Sequence, residues 1–474
     1  MEQEVELKKK QKVKNEIDMC NGPILKKMLV FTLPLMCSSM LQLLFNAADI
    51  IVVGRFAGDT ALAAVGSTTS LVLLLSNLFI GLSVGANVLA ARYFGAGKGN
   101  ELSKTVHTSL LLSMISGLIL TTMGILLAKP ILQLMDTPDT VINLSVLYLR
   151  IYFLGMPAML LYNFGSAILR AKGDTKRPLI YLSLAGIINV SLNLLLVIVF
   201  HLGVAGVGIA TATSQVISAS LMLRCLSKEK GGFRFSVKKL RLHKDKLVAI
   251  LQIGLPAGVQ STLFSLSNVL IQASINSFGD VAMAGSAAAG NIEGFVYVAM
   301  NAFYQASITF TSQNVGAGKY HRVRPIMIRA VACVTVTGLV LGNLAYGFGN
   351  VLLLFYTTSP AVVTEGLRRL SYVSAWYFIC GIMDTLVGVL RGLGYSIVPM
   401  IVSLIGACGL RIVWIMTIFQ IPIFHSLDTI YISYPVTWTI TAGAHFICYL
   451  IITKKMKDKI LKSKEQSLLV DKQE

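Results

Sequence analysis

The sequence predicts an all-α membrane protein in which twelve transmembrane helices form two halves of six. Three observations predict this fold. Of the 474 residues, 55% are apolar and only 13% are charged. The apolar residues form long runs, and landmarks of the first half return in the second half at a nearly constant spacing. A soluble protein of this length needs more polar surface, so most of the chain must face lipid or other helices.

Short Gly-rich and Pro-containing stretches mark the internal repeat. Gly-Ala-Gly-Lys occurs at 95–98 and again at 316–319, an offset of 221 residues. The same offset, or one residue more, relates Gly58-Asp59 to Gly279-Asp280, Leu169-Arg170 to Leu390-Arg391, Pro178 to Pro399, and Leu33-Pro34 to Leu255-Pro256. Several landmarks in one order indicate a duplicated half, which is typical of secondary transporters. Each Gly-Ala-Gly-Lys stretch predicts a tight turn in which glycine adopts a positive φ.

Twelve apolar runs are long enough, at about twenty residues or more, to cross roughly 30 Å of hydrocarbon. They lie near 28–53, 61–91, 105–128, 141–168, 179–200, 204–226, 247–277, 284–313, 329–355, 369–390, 398–420 and 430–453. Each run is predicted to be a helix, because lipid offers no partner to an unpaired backbone group. A β-barrel would show shorter segments of alternating polarity.

Basic residues are unequally distributed between the two sides of the predicted bundle. Lys and Arg cluster around 92–104, 170–177, 228–246, 319–324, 391 and 454–464, whereas the opposite loops hold only Arg55, Lys129, Arg368 and Arg369. Cytoplasmic loops are typically the more basic, so both termini are predicted to be cytoplasmic. Six spans precede the longest polar break and six follow it. The halves therefore enter the membrane from the same side, as parallel repeats.

These boundaries predict five regions along the chain. They are a cytoplasmic tail over 1–27, a first lobe over 28–226, a cytoplasmic linker over 227–246, a second lobe over 247–453 and a cytoplasmic tail over 454–474. The first tail is polar and has no apolar stretch ending in a cleavage site, so it does not read as a signal peptide. No organelle-targeting segment is recognised. We therefore expect a multi-pass protein of a bacterial plasma membrane. We also expect the protein to be a monomer.

Composition also limits the partners and cofactors. The net charge of +19 falls in loops and not on a basic stripe interleaved with aromatic residues, so no nucleic-acid partner is expected. Seven scattered cysteines form no CxxC pair, which disfavours zinc ligation and disulfides, and we expect no cofactor. The histidines form no HExxH motif and no GxSxG elbow is present, so the chain is not predicted to be an enzyme.

A carboxylate within the first span is the main candidate for ion coupling. An acid such as Asp49 costs roughly 2.5–3.5 kcal/mol to insert, so it should face a cavity and have a partner. Asn189 and Asn193 share one face of the fifth span through their i, i+4 spacing, and Thr211 lies on the sixth. Together these groups supply hard oxygen ligands for Na⁺ or hold a proton on Asp49. The alternative is that they serve only as hydrogen-bonded packing between helices.

Two further acids lie deep in the second half. Glu293 on the eighth span and Asp384 on the tenth are candidates to carry a coupling proton or to pair with a cationic substrate. A structural salt bridge, with Arg411 of the eleventh span as partner, is the alternative for Glu293.

Adaptable side chains are expected to line a substrate cavity. The candidates are aromatic, amide and methionine residues, namely Gln42, Phe45, Gln260, Phe264, Tyr297, Met300, Tyr304 and Met383. Such surfaces accept flat organic cations through area and cation–π contacts, although ordinary helix packing explains any one of them. Pro34 and Pro256 interrupt the first spans of the two halves, where a lost backbone bond predicts a hinge.

Taken together, these motifs resemble those of the multidrug and toxic compound extrusion (MATE) family. The resemblance spans about 25–454 and rests on the repeat landmarks above, on 61–66, 92–97, 169–178, 206–211 and 313–318, and on Leu390-Arg391-Gly392. It implies two six-helix lobes in a V and export of organic cations or drugs by antiport with H⁺ or Na⁺. The family's cation site maps onto Asp49, Asn189, Asn193 and Thr211, and its bending proline onto Pro34.

The second half departs from a sodium-linked branch of that family. The branch has an acid on its seventh helix where this chain has Phe264, and its tenth-helix acid falls near Cys380, one turn before Asp384. One alternative function is a flippase for lipid-linked sugars, which would need several cavity Arg and Lys, with Arg411 and Arg150 as the candidates. A receptor without transport is the other. The buried acids and the duplication disfavour the receptor.

Overall fold

Helices joined by short loops build the chain. The computed structural model describes residues 16–135 and 137–470, and those ranges contain no strand. The two predicted tails lie only partly within them. In the described part, the first helix begins at Ile24 and the last runs on to Val470, so much of the predicted C-terminal tail continues the final span as a helix.

Seven helices build the first half within the described residues. They are α1 (Ile24–Phe56), α2 (Asp59–Gly95), α3 (Gly99–Leu134), α4 (Asp139–Leu154), α5 (Met156–Lys172), α6 (Lys176–Leu194) and α7 (Gly203–Ser227). A bend of 45° separates α4 from α5. It falls at Gly155, just before Pro157, which has no N–H to continue the helical ladder. A π-helical turn over Leu195–Val199 extends α6.

The second half repeats this plan. Its described helices are α8 (Lys244–Asn276), α9 (Asp280–Gly316), α10 (Val323–Gly347), α11 (Gly349–Leu354), α12 (Pro360–Tyr372), α13 (Tyr377–Gly392), α14 (Ile397–Ser403), α15 (Leu410–Met416) and α16 (Leu427–Val470). The fourth crossing is again bent, by 48° between α12 and α13. The fifth crossing also contains a π-helical turn, over Leu404–Gly409, as in the first half.

These helices account for twelve crossings. In the described residues, nine segments are each long and apolar enough to span a membrane, and the two bent pairs bring the number to eleven. The twelfth is α9, which has 37 residues but more polar ones. Its polar side chains are enclosed by neighbouring helices, as for Thr309, Gln313 and Asn314, so it needs less apolar surface. All twelve predicted spans therefore correspond to helices, and the predicted all-α fold is confirmed.

The duplicated landmarks adopt the same backbone conformation in both halves. In the two Gly-Ala-Gly-Lys stretches, Gly97 and Gly318 each have a φ of 69°. Gly173 and Gly394, which follow the last turns of α5 and α13, have φ values of 96° and 99°. These left-handed conformations are readily adopted only by glycine. The predicted tight turns are confirmed.

The two halves touch closely from the middle of α2 to the end of the bundle that carries both Gly-Ala-Gly-Lys turns. A Cβ on Gly81 would overlap the backbone of Gly258, and a Cβ on Gly316 would overlap the carbonyl of Arg92. These contacts join α2 to α8 and α9. Because only glycine allows such backbone approach, this end is closed by direct helix packing.

Several arginines assigned to loops from the sequence lie inside helices. Arg369 is buried in α12, because that helix begins at Pro360, well before the predicted start of the span at 369. Arg170 and Arg391 lie in the last turns of α5 and α13, and Arg391 is also buried. A cluster of basic residues at the end of a span does not show which of them turn inward.

Candidate ion site and central cavity

The four residues predicted to form an ion site lie together on three helices. Asp49 comes from α1, Asn189 and Asn193 from α6, and Thr211 from α7. Asn193 Nδ2 donates to one carboxylate oxygen of Asp49, and Thr211 Oγ1 lies 3.5 Å from the other. Asn189 connects the group, since its Nδ2 lies 3.4 Å from Thr211 Oγ1.

Close packing of α1 on α6 brings the acid to the amides. The ring of Phe45, one turn before Asp49, lies where a Cβ on Gly186 would be, so the missing side chain lets the helices approach. Asn189 and Asn193 then face α1 because they are one helical turn apart. Both amides are buried, whereas Asp49 and Thr211 are partly exposed.

The chemistry of this cluster fits a small hard cation or a proton. Asn193 Oδ1 is buried and has no hydrogen-bond partner among the described residues, although such an acceptor normally has one. With the Asp49 carboxylate and the Thr211 hydroxyl, it provides oxygen ligands suited to Na⁺. A proton on Asp49 would instead let the carboxyl group donate to a neighbour. The described residues contain no group of three or more His, Cys, Asp or Glu placed to hold a metal ion.

Glu293 is in a buried ion pair. Its two carboxylate oxygens accept from Arg369 Nε at 3.0 Å and Arg369 Nη2 at 2.8 Å, and Arg369 also donates to Ser286. The prediction that Arg411 would be the salt-bridge partner of Glu293 was wrong. Arg411 instead lies over the ring of Tyr434, 4.0 Å from its centroid. Because Glu293 is already neutralised, it is a weaker candidate than Asp49 to exchange an ion.

Asp384 stands on α13 without an ion pair in the described part of the chain. Arg391 lies seven residues further along the same helix, but its guanidinium donates to Tyr304 and Gln260. Asp384 is partly exposed, so it stays a candidate acid.

A cavity of about 340 Å³ lies between the two halves. Most of its lining side chains are polar and several come in repeat-related pairs: Arg170 and Arg391, Ser39 and Ser261, Ile80 and Asn301, Ser83 and Tyr304, and Val84 and Gln305. The cavity therefore lies on the pseudo-twofold axis that relates the halves. Its volume is at the low end of the range for small-molecule sites.

Only two of the eight predicted cavity residues, Gln42 and Tyr304, line this cavity. Met300 and Met383 were wrong: each is 2% exposed in the core of the second half, because each fills space between helices. The others contact different groups: Phe45 lies against Gly186, Gln260 accepts a hydrogen bond from Arg391, Phe264 packs on the second-half core, and Tyr297 lies beside Tyr377.

Sequence reasoning missed the polar residues that do line the cavity. Asn77, Asn163, Asn301 and Gln305 gave no local signal, since amides also serve as packing contacts. The two arginines did give a signal in the sequence, because Arg170 and Arg391 occupy equivalent positions in the two repeats.

Both predicted hinge prolines lie inside continuous helices. Pro34 is within α1 and Pro256 within α8, and both are buried. Ser38 Oγ donates to the carbonyl of Pro34 at 2.9 Å. Movement at either proline stays a prediction.

Comparison with known proteins gives consistent matches. The MatE family profile matches twice, over 34–195 and 256–417. The probable multidrug resistance protein YoeA of Bacillus subtilis is 27% identical over 91% of this chain and 94% of its own. The FAD transporter of Shewanella oneidensis is 27% identical over 74% of this chain and 78% of its own. An outward-facing multidrug resistance MATE family transporter has a TM-score of 0.88 at 20% identity, covering 94% of this chain and all of the other.

Proposed function

Because this chain belongs to the MATE family of multidrug efflux transporters, we propose that it exports its substrate in exchange for an ion that binds at Asp49. The chain is a multi-pass membrane transporter and not an enzyme. We further propose that the coupling ion is H⁺ or Na⁺, that the protein works as a monomer in the plasma membrane, and that both termini are cytoplasmic.

The observation that carries the coupling proposal is the Asp49 cluster. Its groups come from three helices, so an ion held among them pulls α1 toward α6 and α7. α1 also packs on α9 of the other half, where the rings of Phe31 and Phe310 lie 5.8 Å apart. A shift of α1 therefore changes the contact between the halves. An ion that binds one arrangement better than the other shifts their populations.

The substrates that we propose are drug-sized organic molecules. Relatives named as multidrug resistance proteins and a relative named as an FAD transporter support a broad range of cargo. Organic cations were expected from the sequence. The charged residues lining the central cavity, however, are Arg170 and Arg391, and neither Asp49 nor Asp384 is among the lining residues.

A flippase for lipid-linked sugars is the second candidate. It needs cationic cavity residues, and two arginines supply that feature, although they are not the Arg411 and Arg150 named from the sequence. The match of the MatE profile to both halves favours the exporter.

Transport by the purified protein in sealed vesicles tests the proposal. Efflux of an anionic and a cationic fluorescent dye would be followed under an imposed proton gradient and, separately, a sodium gradient. We expect one gradient to drive efflux by the wild type, and Asp49→Asn to abolish it while still folding into the vesicles. Equal efflux by both proteins would contradict the role of Asp49.

A further inference from the structure

We propose that the central cavity binds the negatively charged group of its cargo through Arg170 and Arg391, so that the preferred substrates are organic anions carrying a phosphate or carboxylate. This inference rests on the proposed export function, which it deepens by naming the substrate class. The remaining polar lining, which includes Asn77, Asn163 and Gln305, would hydrogen-bond the neutral part of the cargo.

The balance of charge around the cavity supports an anion. Among the described residues, its lining contains two arginines and no aspartate or glutamate. A cation placed there would meet like charge without a partner, which is costly where water is scarce. A phosphate or carboxylate would find two guanidinium groups, which bind such anions through paired N–H donors.

Neither arginine has a counter-ion among the described residues, whereas two buried basic residues outside the cavity do; the buried Arg411, also outside the cavity, lies over an aromatic ring instead. Arg369 is paired with Glu293, and Lys172 with Glu229. The hydrogen bonds of Arg391 go instead to the neutral groups of Tyr304 and Gln260. The Nε atoms of Arg391 and of Arg170 are buried and lack an acceptor in the described structure. A buried cation is normally paired, so a missing anion is expected from the cargo.

The arrangement of the two arginines, one from each half, about the repeat axis also fits one shared ligand. They are related by the offset of 221 residues and come one from each half. Each lies in the last turn of its helix, before a left-handed glycine, Gly173 or Gly394. The negative ends of α5 and α13 interact favourably with the positive charge of the two guanidiniums. Because this location also suits a structural role for the arginines, the test distinguishes anion binding from structural support.

Two dyes with one ring system and opposite charge provide the test. Carboxyfluorescein is anionic and rhodamine 123 is cationic, and both share the xanthene scaffold. Binding to the purified full-length protein in detergent would be measured by fluorescence anisotropy for the wild type, Arg170→Gln, Arg391→Gln, and the charge-retaining Arg170→Lys and Arg391→Lys. Arg150→Gln is the matched control, because Arg150 is exposed and does not line the cavity.

We expect the wild type to bind carboxyfluorescein more tightly than rhodamine 123. Each glutamine variant should weaken binding of the anion by about tenfold or more, as expected for losing a charge-assisted hydrogen bond. The lysine variants should keep part of the affinity, and Arg150→Gln all of it. Preference for rhodamine 123, or unchanged anion binding in both glutamine variants, would overturn the proposal. Thermal unfolding of each variant shows whether it is folded.

Competition and transport separate the possible sources of the anion and the two proposals. Displacement of the dye by inorganic phosphate or acetate supports a soluble organic anion as cargo. Displacement only by a polyprenyl diphosphate would overturn that assignment in favour of a lipid-linked substrate. In vesicles, anion binding without transport under either ion gradient would refute the export function and leave the anion site standing. Transport of rhodamine 123 alone would refute the anion site and leave export standing.

Discussion

Two adjacent arginines on α12 show how burial changes the value of an ion pair. Arg369 is buried and bonded to buried Glu293, whereas Arg368 is partly exposed and bonded to Asp428. We expect Arg369→Ala to lower the free energy of unfolding by about 3–5 kcal/mol, because it leaves an unpaired buried carboxylate. Arg368→Ala should cost at most about 1 kcal/mol, as for exposed pairs. Denaturation of the detergent-solubilised variants measures both.

A second substitution serves as the control for the buried pair. Replacing Glu293 by Gln in the Arg369→Ala background removes the orphaned charge and should recover part of the lost stability. Equal losses of unfolding free energy for Arg368→Ala and Arg369→Ala would show that burial does not determine how much each ion pair contributes to stability.

At the residue scale, the sequence could predict groups but not partners. Asp49, Asn189, Asn193 and Thr211 could be grouped because an acid within a span demands polar neighbours and helical spacing aligns the amides. The partner of Glu293 could not be predicted, because it depends on where α12 begins. Met300 could not be assigned to core or cavity, since methionine suits both.

At the scale of elements, glycine contacts between α2 and α8 should control closure of one end of the bundle. A Cβ on Gly81 would overlap the backbone of Gly258, whereas a Cβ on Gly66 of the same helix meets nothing within 4 Å. We expect Gly81→Ala to open this end and lower the thermal unfolding temperature, and Gly66→Ala to do neither. Thiol labelling of a cysteine introduced at Ser83, which lines the cavity, reports the opening. Equal labelling of both variants would contradict this account of the closure.

A network of ion pairs connects several elements near the end of α5 and the start of α6. Glu229, in the loop after α7, accepts from Lys172 and Arg177, while Lys172 also pairs with Glu16. Burial opposes ionisation of Glu229, but the hydrogen bonds from the two basic residues together lower its pKa below the ordinary 4.5. The ionised form is therefore favoured by folding.

This lowered pKa predicts how stability depends on pH. The contribution of Glu229 is complete above its ordinary pKa and is lost as the pH falls through the lowered value, because protonation removes the charge that binds Lys172 and Arg177. Glu229→Gln should therefore destabilise the protein at pH 7 and much less near pH 3. Thermal unfolding of both proteins at the two pH values measures this. A constant difference would argue that Glu229 is not ionised in the folded protein.

The number of spans and their approximate positions could be predicted because lipid imposes both length and apolar character, whereas the start of α12 at Pro360 could not. The twelve spans all correspond to helices, and the glycine turns have the expected positive φ. The bends within the fourth crossing of each half and the π-helical turns could not be predicted, since they depend on contacts with neighbouring helices.

At the scale of the whole molecule, the two halves meet around one axis and share one cavity. The duplication predicted this arrangement, but only the structure shows that Arg170 and Arg391 line the same cavity. The Asp49 cluster lies within the first half, away from these lining residues. The proposed ion site and the proposed cargo site are therefore separate, and α1, which contacts both α6 and α9, connects them.

Coupling between these two places is the central claim, and countertransport tests it most directly. In sealed vesicles without an imposed ion gradient, a gradient of transported dye should drive H⁺ or Na⁺ in the opposite direction, because coupling between two sites is reciprocal. We predict ion movement by the wild type and none by Asp49→Asn. Dye movement by the wild type with no accompanying flux of either ion would contradict the account.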